Sequence, residues 1–148
     1  MIPYPGRILA VDYGTKRVGI AVSDPTRLIA QGVTTLMNDE WLLEKLHTLI
    51  REQNAVRIVV GMPYSADGGR GAKAVEVEQF IEKLKRAVDV QIDTWDESYS
   101  SVSAHRVFIE TGMKRKKRQE KRRVDEMAAR LMLQEYLDHH SDKRAHSS

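Results

Sequence analysis

A near-continuous apolar run at residues 56–62, closed by Pro63, constrains the fold of this chain more than any other feature. A run of this kind is typical of a strand that is covered on both faces of a sheet. Apolar residues recur at helical spacing on either side of it, at residues 39–53 and 72–88. The sequence therefore predicts an α/β fold in which crossover helices connect parallel strands.

The beginning of the chain follows a different pattern, with short connections between runs rich in β-branched residues. Residues 7–13 and 18–24 flank the turn-prone segment 14–17, and a third candidate strand covers residues 28–36. Short connections of this kind favour an antiparallel meander. With a last candidate strand at residues 90–95, the pattern predicts one mixed sheet of five strands.

The last third of the chain is predicted to be mainly helical. A helix that begins near residue 100 and ends at Gly112 precedes a basic segment, and a final helix covers residues 124–138. Residues 139–148 are polar, and we expect them to form a flexible tail. Because 148 residues are enough for one substantial core, we predict a single domain over residues 1–138.

The composition excludes several kinds of site and location. The chain has no cysteine, so disulfides, thiolate metal sites and thiol catalysis are excluded, and any metal must be bound by oxygen or imidazole. No apolar run approaches the roughly 18 residues of a membrane span. The N-terminus lacks the apolar core of a signal peptide. We therefore expect a cytoplasmic protein with no membrane partner.

Positive charge is concentrated in residues 114–123, which contain eight Lys or Arg and one acid. The net charge of the whole chain is +3, but the other residues contribute 16 basic and 20 acidic side chains. Such a segment in an otherwise acidic molecule indicates contact with a polyanion, and the alternative is a solvated loop. The predicted nucleic-acid-binding residues of this segment are Lys114, Arg115, Lys117, Arg118 and Arg122.

Acidic residues occur where the predicted strands end. Asp12 ends the first strand, Asp96 and Glu97 follow the fifth, and Asp125 begins the last helix, whose N-terminus would favour its ionised form. Reactive groups of open α/β sheets lie beyond the carboxyl ends of the parallel strands. Each acid alone is also a common turn, loop or cap residue. Together they provide the oxygen ligands that Mg²⁺ prefers, and two such ions roughly 3.5–4 Å apart can cleave phosphodiesters.

Basic residues outside the 114–123 segment are further candidates for phosphate contact. Lys16 and Arg17 lie on the turn that follows Asp12, where phosphate binding and simple solvent exposure are both open. Arg70 lies in the glycine-rich loop 65–71, which would let a nucleic-acid backbone approach closely. That loop lacks the ending of a nucleotide-binding P-loop, so we expect no nucleotide there.

Several segments of the chain resemble the YqgF/RuvX family. They are residues 11–21 (VDYGTKRVGIA), residues 60–63 (VGMP), the pair Asp96-Glu97 and the helix start 124–129 (VDEMAA). This family comprises bacterial ribonuclease H-like proteins described as Holliday junction resolvases and as nucleases that mature the 5′ end of pre-16S ribosomal RNA. The resemblance implies a ribonuclease H-like fold with strand order 3-2-1-4-5, in which the second strand is antiparallel to the rest.

The resemblance also implies a set of catalytic and metal-binding residues. The family's acidic positions fall on Asp12, Glu97 and Asp125, with Mg²⁺ or Mn²⁺ as the cofactor and two ions expected once substrate is bound. In the implied strand order, the first and fifth strands lie roughly 9–10 Å apart, at about 4.8 Å per strand. That separation favours the longer Glu97 over Asp96 as the ligand.

Two positions depart from the family pattern. Ser98 stands where members often carry Arg, and Ala128 stands where related resolvases carry a second aspartate one helical turn after the last acid. One phosphate contact or carboxylate partner is therefore missing, and so is the fourth acid. We expect one metal ion to be held firmly and a second only with substrate present.

The resemblance implies a nuclease, with pre-rRNA as the first choice of substrate. Branched DNA is the alternative, and cleavage of a Holliday junction would be expected to need a homodimer rather than a monomer. A non-catalytic RNA-binding factor of ribosome assembly is a further alternative. Asp12-x-Gly14-Thr15 also resembles the phosphate loop of the actin and sugar-kinase superfamily. Because that superfamily uses two such lobes and this chain has room for one, we do not expect an ATPase.

Overall fold

The computed structural model describes residues 6–63, 71–97 and 118–146, with side chains of the last segment described for residues 123–140. Five strands and three helices lie within these ranges. The strands are β1 (Arg7–Tyr13), β2 (Arg17–Ser23), β3 (Ala30–Met37), β4 (Ala55–Met62) and β5 (Gln91–Asp96). The helices are α1 (Leu42–Gln53), α2 (Ala72–Ala87) and α3 (Arg118–His146). The helix predicted near residues 100–112 lies outside the described residues.

The strands form one sheet in the order β3-β2-β1-β4-β5. β2 is antiparallel to both of its neighbours, whereas β4 pairs in parallel with β1 and with β5. Parallel neighbours need crossover connections, and α1 and α2 are the helices that lie between β3 and β4 and between β4 and β5. The predicted mixed sheet and its strand order are therefore confirmed.

The two faces of the sheet are covered by different helices. α1 and α2 pack on one face against large aliphatic residues of the strands, among them Leu9, Val11, Ile20, Ile58 and Val60. α3 packs on the other face, where the contacting strand residues are Ile8, Ala10, Ala21, Ala30 and Val59. Successive residues of β4 thus alternate between the two cores, which explains its near-continuous apolar sequence.

α3 crosses its face of the sheet at an angle. Asp125 and Glu126 lie over Gly19 of β2 and Gly32 of β3, and ten residues later the Tyr136 hydroxyl donates a hydrogen bond to Asp93 Oδ2 of β5 over 2.7 Å. The ring of Trp95 meets the ring of Tyr136 edge-on, with 5.9 Å between centroids. α3 therefore spans its face of the sheet from β3 and β2 to β5.

Two of the predicted helix boundaries are wrong. The last helix was expected to begin at Val124 and to end at Asp138, but α3 begins at Arg118 and continues to His146. The charged residues that precede Val124 are mostly good helix formers, and a basic segment can contact a polyanion from a helix as well as from a loop. Although α3 has 29 residues, no helix in the ranges given above is long and apolar enough to cross a membrane.

Candidate active site

Asp12 is a buried acid at the end of β1. It pairs with Gly19 of β2, and cross-strand partners project from the same face of a sheet. Asp12 alternates with Ile8 and Ala10, which contact α3, so its carboxylate lies on the α3 face. Only 6% of the residue is exposed. A carboxylate is costly to bury, so its position at a strand end marks a candidate site rather than a core position.

The hairpin after Asp12 is held in place by Asn38, the residue that follows β3. Its side-chain amide donates to the carbonyl oxygen of Gly14 over 2.8 Å, and its backbone N–H donates to the carbonyl oxygen of Lys16 over 2.9 Å. A Cβ atom on Gly14 would overlap the carbonyl oxygen of Arg17, so only glycine allows this tight turn. The turn therefore fixes the backbone position of Arg17, the first residue of β2.

Asp125 reaches the site because α3 lies directly on β2. A Cβ atom on Gly19 would overlap the carbonyl oxygen of Asp125 and lie 2.7 Å from its carbonyl carbon. Two residues before Gly19 and on the same face, Arg17 donates from Nε to Asp125 Oδ2 over 2.8 Å. The two side chains are 28% and 16% exposed. Asp125 is thus held by an ion pair at the partly open edge of the sheet.

The expected role of the helix N-terminus in stabilising Asp125 is wrong. Because α3 begins at Arg118, Asp125 lies about two turns inside the helix. The field of a helix end acts mainly within the first turn. The positive partner that the structure gives to Asp125 is Arg17, which is 108 residues away in the sequence.

Glu97 approaches Asp12 across the intervening strand β4. Val11 pairs with Val60, so Asp12 and Gly61 follow at the next positions of their strands. A Cβ atom on Gly61 would lie 2.9 Å from Glu97 Cδ and 2.5 Å from Met132 Sδ. The Glu97 side chain therefore extends from the end of β5 over Gly61 towards β1, and 5% of the residue is exposed.

The surroundings of Glu97 disfavour its negative charge. Burial raises the pKa of this carboxyl group above its ordinary value of 4.5, with Lys73 opposing the rise and Asp96 and Glu135 adding to it. Lys73 and Glu135 were not singled out from the sequence. The position of Lys73 in the first turn of α2, just beyond the end of β4, is a usable signal for it. The sequence gives no such signal for Glu135, because its distance from Glu97 depends on how α3 crosses the sheet.

The donor set suits a hard divalent cation, although no complete cluster is preformed. Within residues 6–63, 71–97 and the described part of α3, no group of three or more His, Cys, Asp or Glu residues is arranged to hold a metal ion. Asp12 and Glu97 are the buried acids of these ranges. Carboxylate oxygens are the ligands that Mg²⁺ and Mn²⁺ prefer, and a cation would offset the cost of burying both acids. The oxygen donors of Asp12 and Glu97 are thus of the kind that such a cation takes, whereas Asp125 is paired with Arg17.

The remaining candidate residues are only partly covered by the structure. Lys16 is exposed on the hairpin turn. Arg70, Ser98, Lys114, Arg115 and Lys117 lie outside the described residues. Arg118 and Arg122 lie on α3, but their side chains are not among those described. Ala128 is buried against the sheet with 3% exposure, so the position of the absent fourth acid is part of the core.

Matches to known sequences cover almost the whole chain. The family model described as RuvX, Holliday junction resolvase, matches residues 6–139. A protein of Roseiflexus sp. strain RS-1 is 39% identical over 136 residues, which is 90% of this chain and 95% of the relative. A protein of Bacteroides fragilis is 40% identical over 133 residues, which is 89% and 96% respectively. Both relatives carry the provisional name pre-16S rRNA nuclease.

Solved structures of resolvases have a similar fold. RuvC of T. thermophilus, in complex with a Holliday junction substrate, superposes with a TM-score of 0.57 at 12% identity, covering 89% of this chain and 93% of that one. The fowlpox virus resolvase, in complex with Holliday junction DNA, gives 0.51 at 14% identity, covering 89% and 97%. At these identities the likeness concerns the fold alone, and it confirms the predicted ribonuclease H-like fold.

Proposed function

The chain belongs to the RuvX family, and from that premise we propose that it is a nuclease that hydrolyses phosphodiester bonds with a divalent metal ion. The observation that carries the proposal is the burial of Asp12 and Glu97 on one face of the sheet, with the Glu97 side chain reaching over Gly61 of β4, the strand next to that of Asp12. Two buried acids at the carboxyl ends of parallel strands have little structural use, because their desolvation is unfavourable.

In the proposed reaction, Asp12 and Glu97 hold Mg²⁺ or Mn²⁺, and Asp125 completes the site when substrate is present. The bound cation would supply Lewis-acid activation of the attacking water and of the phosphoryl oxygen. Asp12 lies between the other two acids, since Glu97 approaches from the β4 side and Asp125 from the β2 side. Asp12 is therefore the residue whose loss should affect the reaction most.

Basic residues hold the substrate backbone in this proposal. Lys16 and Arg17 lie at the edge of the sheet where the acids gather, since β2 begins where β1 ends. The proposed nucleic-acid contacts away from the hairpin are Arg70, Lys114, Arg115, Lys117, Arg118 and Arg122. Contacts of this kind bind phosphates without reading sequence, so the affinity should fall steeply with salt.

The proposed biological role is maturation of the 5′ end of pre-16S rRNA. It is supported by relatives of about 40% identity and near-complete mutual coverage whose provisional name states this activity. Cleavage of Holliday junctions is the second candidate, favoured by the description of the matching family model. The fold likeness to RuvC does not separate the two, because it is found at 12% identity.

The proposal is tested with labelled 5′-extended pre-16S RNA and a four-way DNA junction, offered side by side with Mg²⁺, Mn²⁺ or EDTA. We expect the wild type to cleave the RNA only with metal. Asp12→Asn should lower the rate by at least about a hundredfold, because the central metal ligand is weakened. Binding of RNA in EDTA should survive in this variant. The matched control is Asp89→Asn, which changes an exposed aspartate between α2 and β5.

Each alternative has its own outcome in this experiment. Preferential cleavage of the junction would replace rRNA maturation by the second candidate. Tight RNA binding without cleavage under any metal condition would indicate a non-catalytic RNA-binding factor. Equal cleavage by Asp12→Asn and by the wild type would exclude the proposed metal site.

A further inference from the structure

Arg17 uses only part of its hydrogen-bonding capacity inside the protein. Its Nε donates to Asp125 Oδ2 over 2.8 Å, and among the described residues neither terminal Nη atom donates a hydrogen bond to the protein. The side chain is 28% exposed, so a ligand can reach it from solvent. On the other side of the contact, Asp125 Oδ1 also accepts no hydrogen bond from the described residues.

The guanidinium is held in position before any ligand arrives. The backbone of Arg17 is fixed by the hairpin, which Asn38 fastens to the end of β3. The backbone of Asp125 is fixed by the close contact of α3 with Gly19. Both ends of the Arg17–Asp125 contact therefore rest on regular secondary structure, and little side-chain entropy remains to be lost on binding.

The free edge of such a guanidinium matches a phosphate group. Arginine presents five N–H donors in a planar fork, so it can bind a carboxylate through Nε and a phosphate through its Nη atoms at the same time. Asp125 alone would repel a phosphate, but paired with Arg17 it contributes no net charge. Lysine has one compact ammonium group and cannot join the two ligands with the same geometry.

We propose that Arg17 binds a phosphodiester of the nucleic-acid substrate and Asp125 simultaneously, so that one guanidinium places a backbone phosphate beside the third carboxylate of the site. Arg17 is then a positioning residue for Asp125 as well as a phosphate ligand. This inference rests on the proposed function only for the identity of the substrate. The bridging contact itself requires neither a metal ion nor cleavage.

The test measures the affinity of a short fluorescein-labelled single-stranded RNA in excess EDTA, so that neither metal nor turnover contributes. Arg17→Lys keeps the charge and removes the fork, and we expect about tenfold weaker binding, as for the loss of one charge-assisted hydrogen bond. The matched control is Arg51→Lys, which makes the same change at an exposed position of α1 on the opposite face of the sheet. It should bind like the wild type.

A second pair of variants tests whether the change in RNA affinity comes from net charge or from the position of Arg17. Asp125→Asn and Asp125→Ala lose the same negative charge, but only the asparagine keeps an acceptor for Arg17 Nε. If Arg17 must be held to bind the phosphate, Asp125→Ala should bind RNA about three- to fivefold more weakly than Asp125→Asn. By charge alone, the two variants would bind equally and more tightly than the wild type.

Two results would overturn the bridge: equal affinity of Arg17→Lys and the wild type, or equal affinity of the two Asp125 variants. Thermal unfolding of each variant shows whether it is folded, and Arg17→Lys decides the question if Asp125→Ala does not fold.

Failure of the proposed function gives a different result from failure of the Arg17 contact. A wild type that never cleaves RNA but shows the expected order of affinities in EDTA would refute the nuclease and leave the phosphate site intact.

Discussion

The two faces of the sheet are packed in different ways. Under α1 and α2, the strands present large aliphatic side chains that fill the space between sheet and helices. Under α3, the strands present mainly small residues, namely Ala10, Gly19, Ala21, Gly32 and Gly61. Apolar side chains of α3 fill part of the space, and over the three glycines it is filled by the α3 backbone and by acidic residues, with Asp125 over Gly19, Glu126 over Gly32 and Glu97 over Gly61.

The α1/α2 face therefore serves mainly to stabilise the fold, whereas the α3 face also holds the candidate site. Glycine inside a strand weakens it, because it has no side chain to pack and loses more backbone entropy on folding. The chain accepts that loss on the α3 face alone, where each glycine makes room for a neighbouring acidic residue. The α3 face is therefore where substitutions should change activity and stability in different proportions.

The largest effect is expected from Gly19→Ala. The added methyl group would meet the backbone of α3 at Asp125, and a helix backbone cannot move aside as a side-chain end can. We expect a loss of about 2–3 kcal/mol in the free energy of unfolding, together with loss of cleavage, measured by urea denaturation and by RNA cleavage. The matched control for stability is Gly71→Ala, because a Cβ atom there meets nothing within 4 Å.

A Gly19→Ala protein as stable as the Gly71→Ala control and as active as the wild type would contradict this account. It would mean that α3 can move away from β2 without cost, and that the position of Asp125 does not depend on the close contact. The two faces of the sheet would then differ in amino-acid composition, but the glycines under α3 would not be needed to position Asp125.

A smaller loss of stability, with a clear effect on activity, is expected from Gly61→Ala. The methyl group would meet the ends of two side chains, Glu97 and Met132, which can shift by changing rotamer. The cost in unfolding free energy should be about 1 kcal/mol. Cleavage should fall about tenfold to a hundredfold, because displacing a catalytic group by about 1 Å has effects of that size.

Comparing the loss of cleavage with the loss of stability in the two glycine variants tests the role of Gly61 most directly. Cleavage rates at saturating metal are compared with denaturation midpoints for Gly19→Ala, Gly61→Ala and the Gly71→Ala control. A proportional loss of rate and stability in both variants would mean that Gly61 serves packing alone. A rate loss without a matching stability loss at Gly61 supports its role in giving Glu97 access to Asp12.

The parts of the fold that depend on local pattern could be predicted from the sequence. The strands and the two crossover helices follow from apolar periodicity, and the resemblance supplied the strand order. The start of α3 was missed because residues 118–123 were interpreted by their charge, although most of them favour helix. The long tail of this helix was missed because a polar sequence carries no apolar stripe.

The site was only partly predictable, because its contacts are tertiary. The three acids were predicted from their positions at element ends and from the resemblance, and the structure adds that the Glu97 side chain crosses β4 and that Asp125 pairs with Arg17 of β2. Isolated glycines at positions 19 and 61 were a usable signal, since a glycine inside a strand often marks close backbone approach. The contact between Arg17 and Asp125 had no signal in the local sequence, because it joins two elements 108 residues apart.

The loop between β2 and β3 lies at the opposite end of the sheet from the acids, and α3 holds it as well. The Gln134 side chain donates to the carbonyl oxygen of Leu28 and accepts from the N–H of Ala30, both over 2.9 Å. Within the loop, burial raises the pKa of Asp24, but hydrogen bonds from the backbone of Ile29, the Thr26 hydroxyl and the backbone of Leu28 and Thr26 outweigh it. Together they lower this pKa from 3.8 to about 2.

The smallest effect is therefore expected from Asp24→Asn, which should lower stability and leave cleavage unchanged. A carboxylate with a lowered pKa in the folded state stabilises the protein above its unfolded pKa of 3.8, and this contribution is lost as the pH falls towards about 2. Because solvent screens the loop, we expect a difference of about 1 kcal/mol or less at neutral pH.

Urea denaturation of the wild type and Asp24→Asn at falling pH measures this difference, with Asp89→Asn as the control. If the difference stayed constant with pH, the loss would come from the shape of the loop rather than from the charge of Asp24. If cleavage fell with it, α3 would transmit changes in this loop to the acids, and the α3 face would have to be treated as one coupled unit.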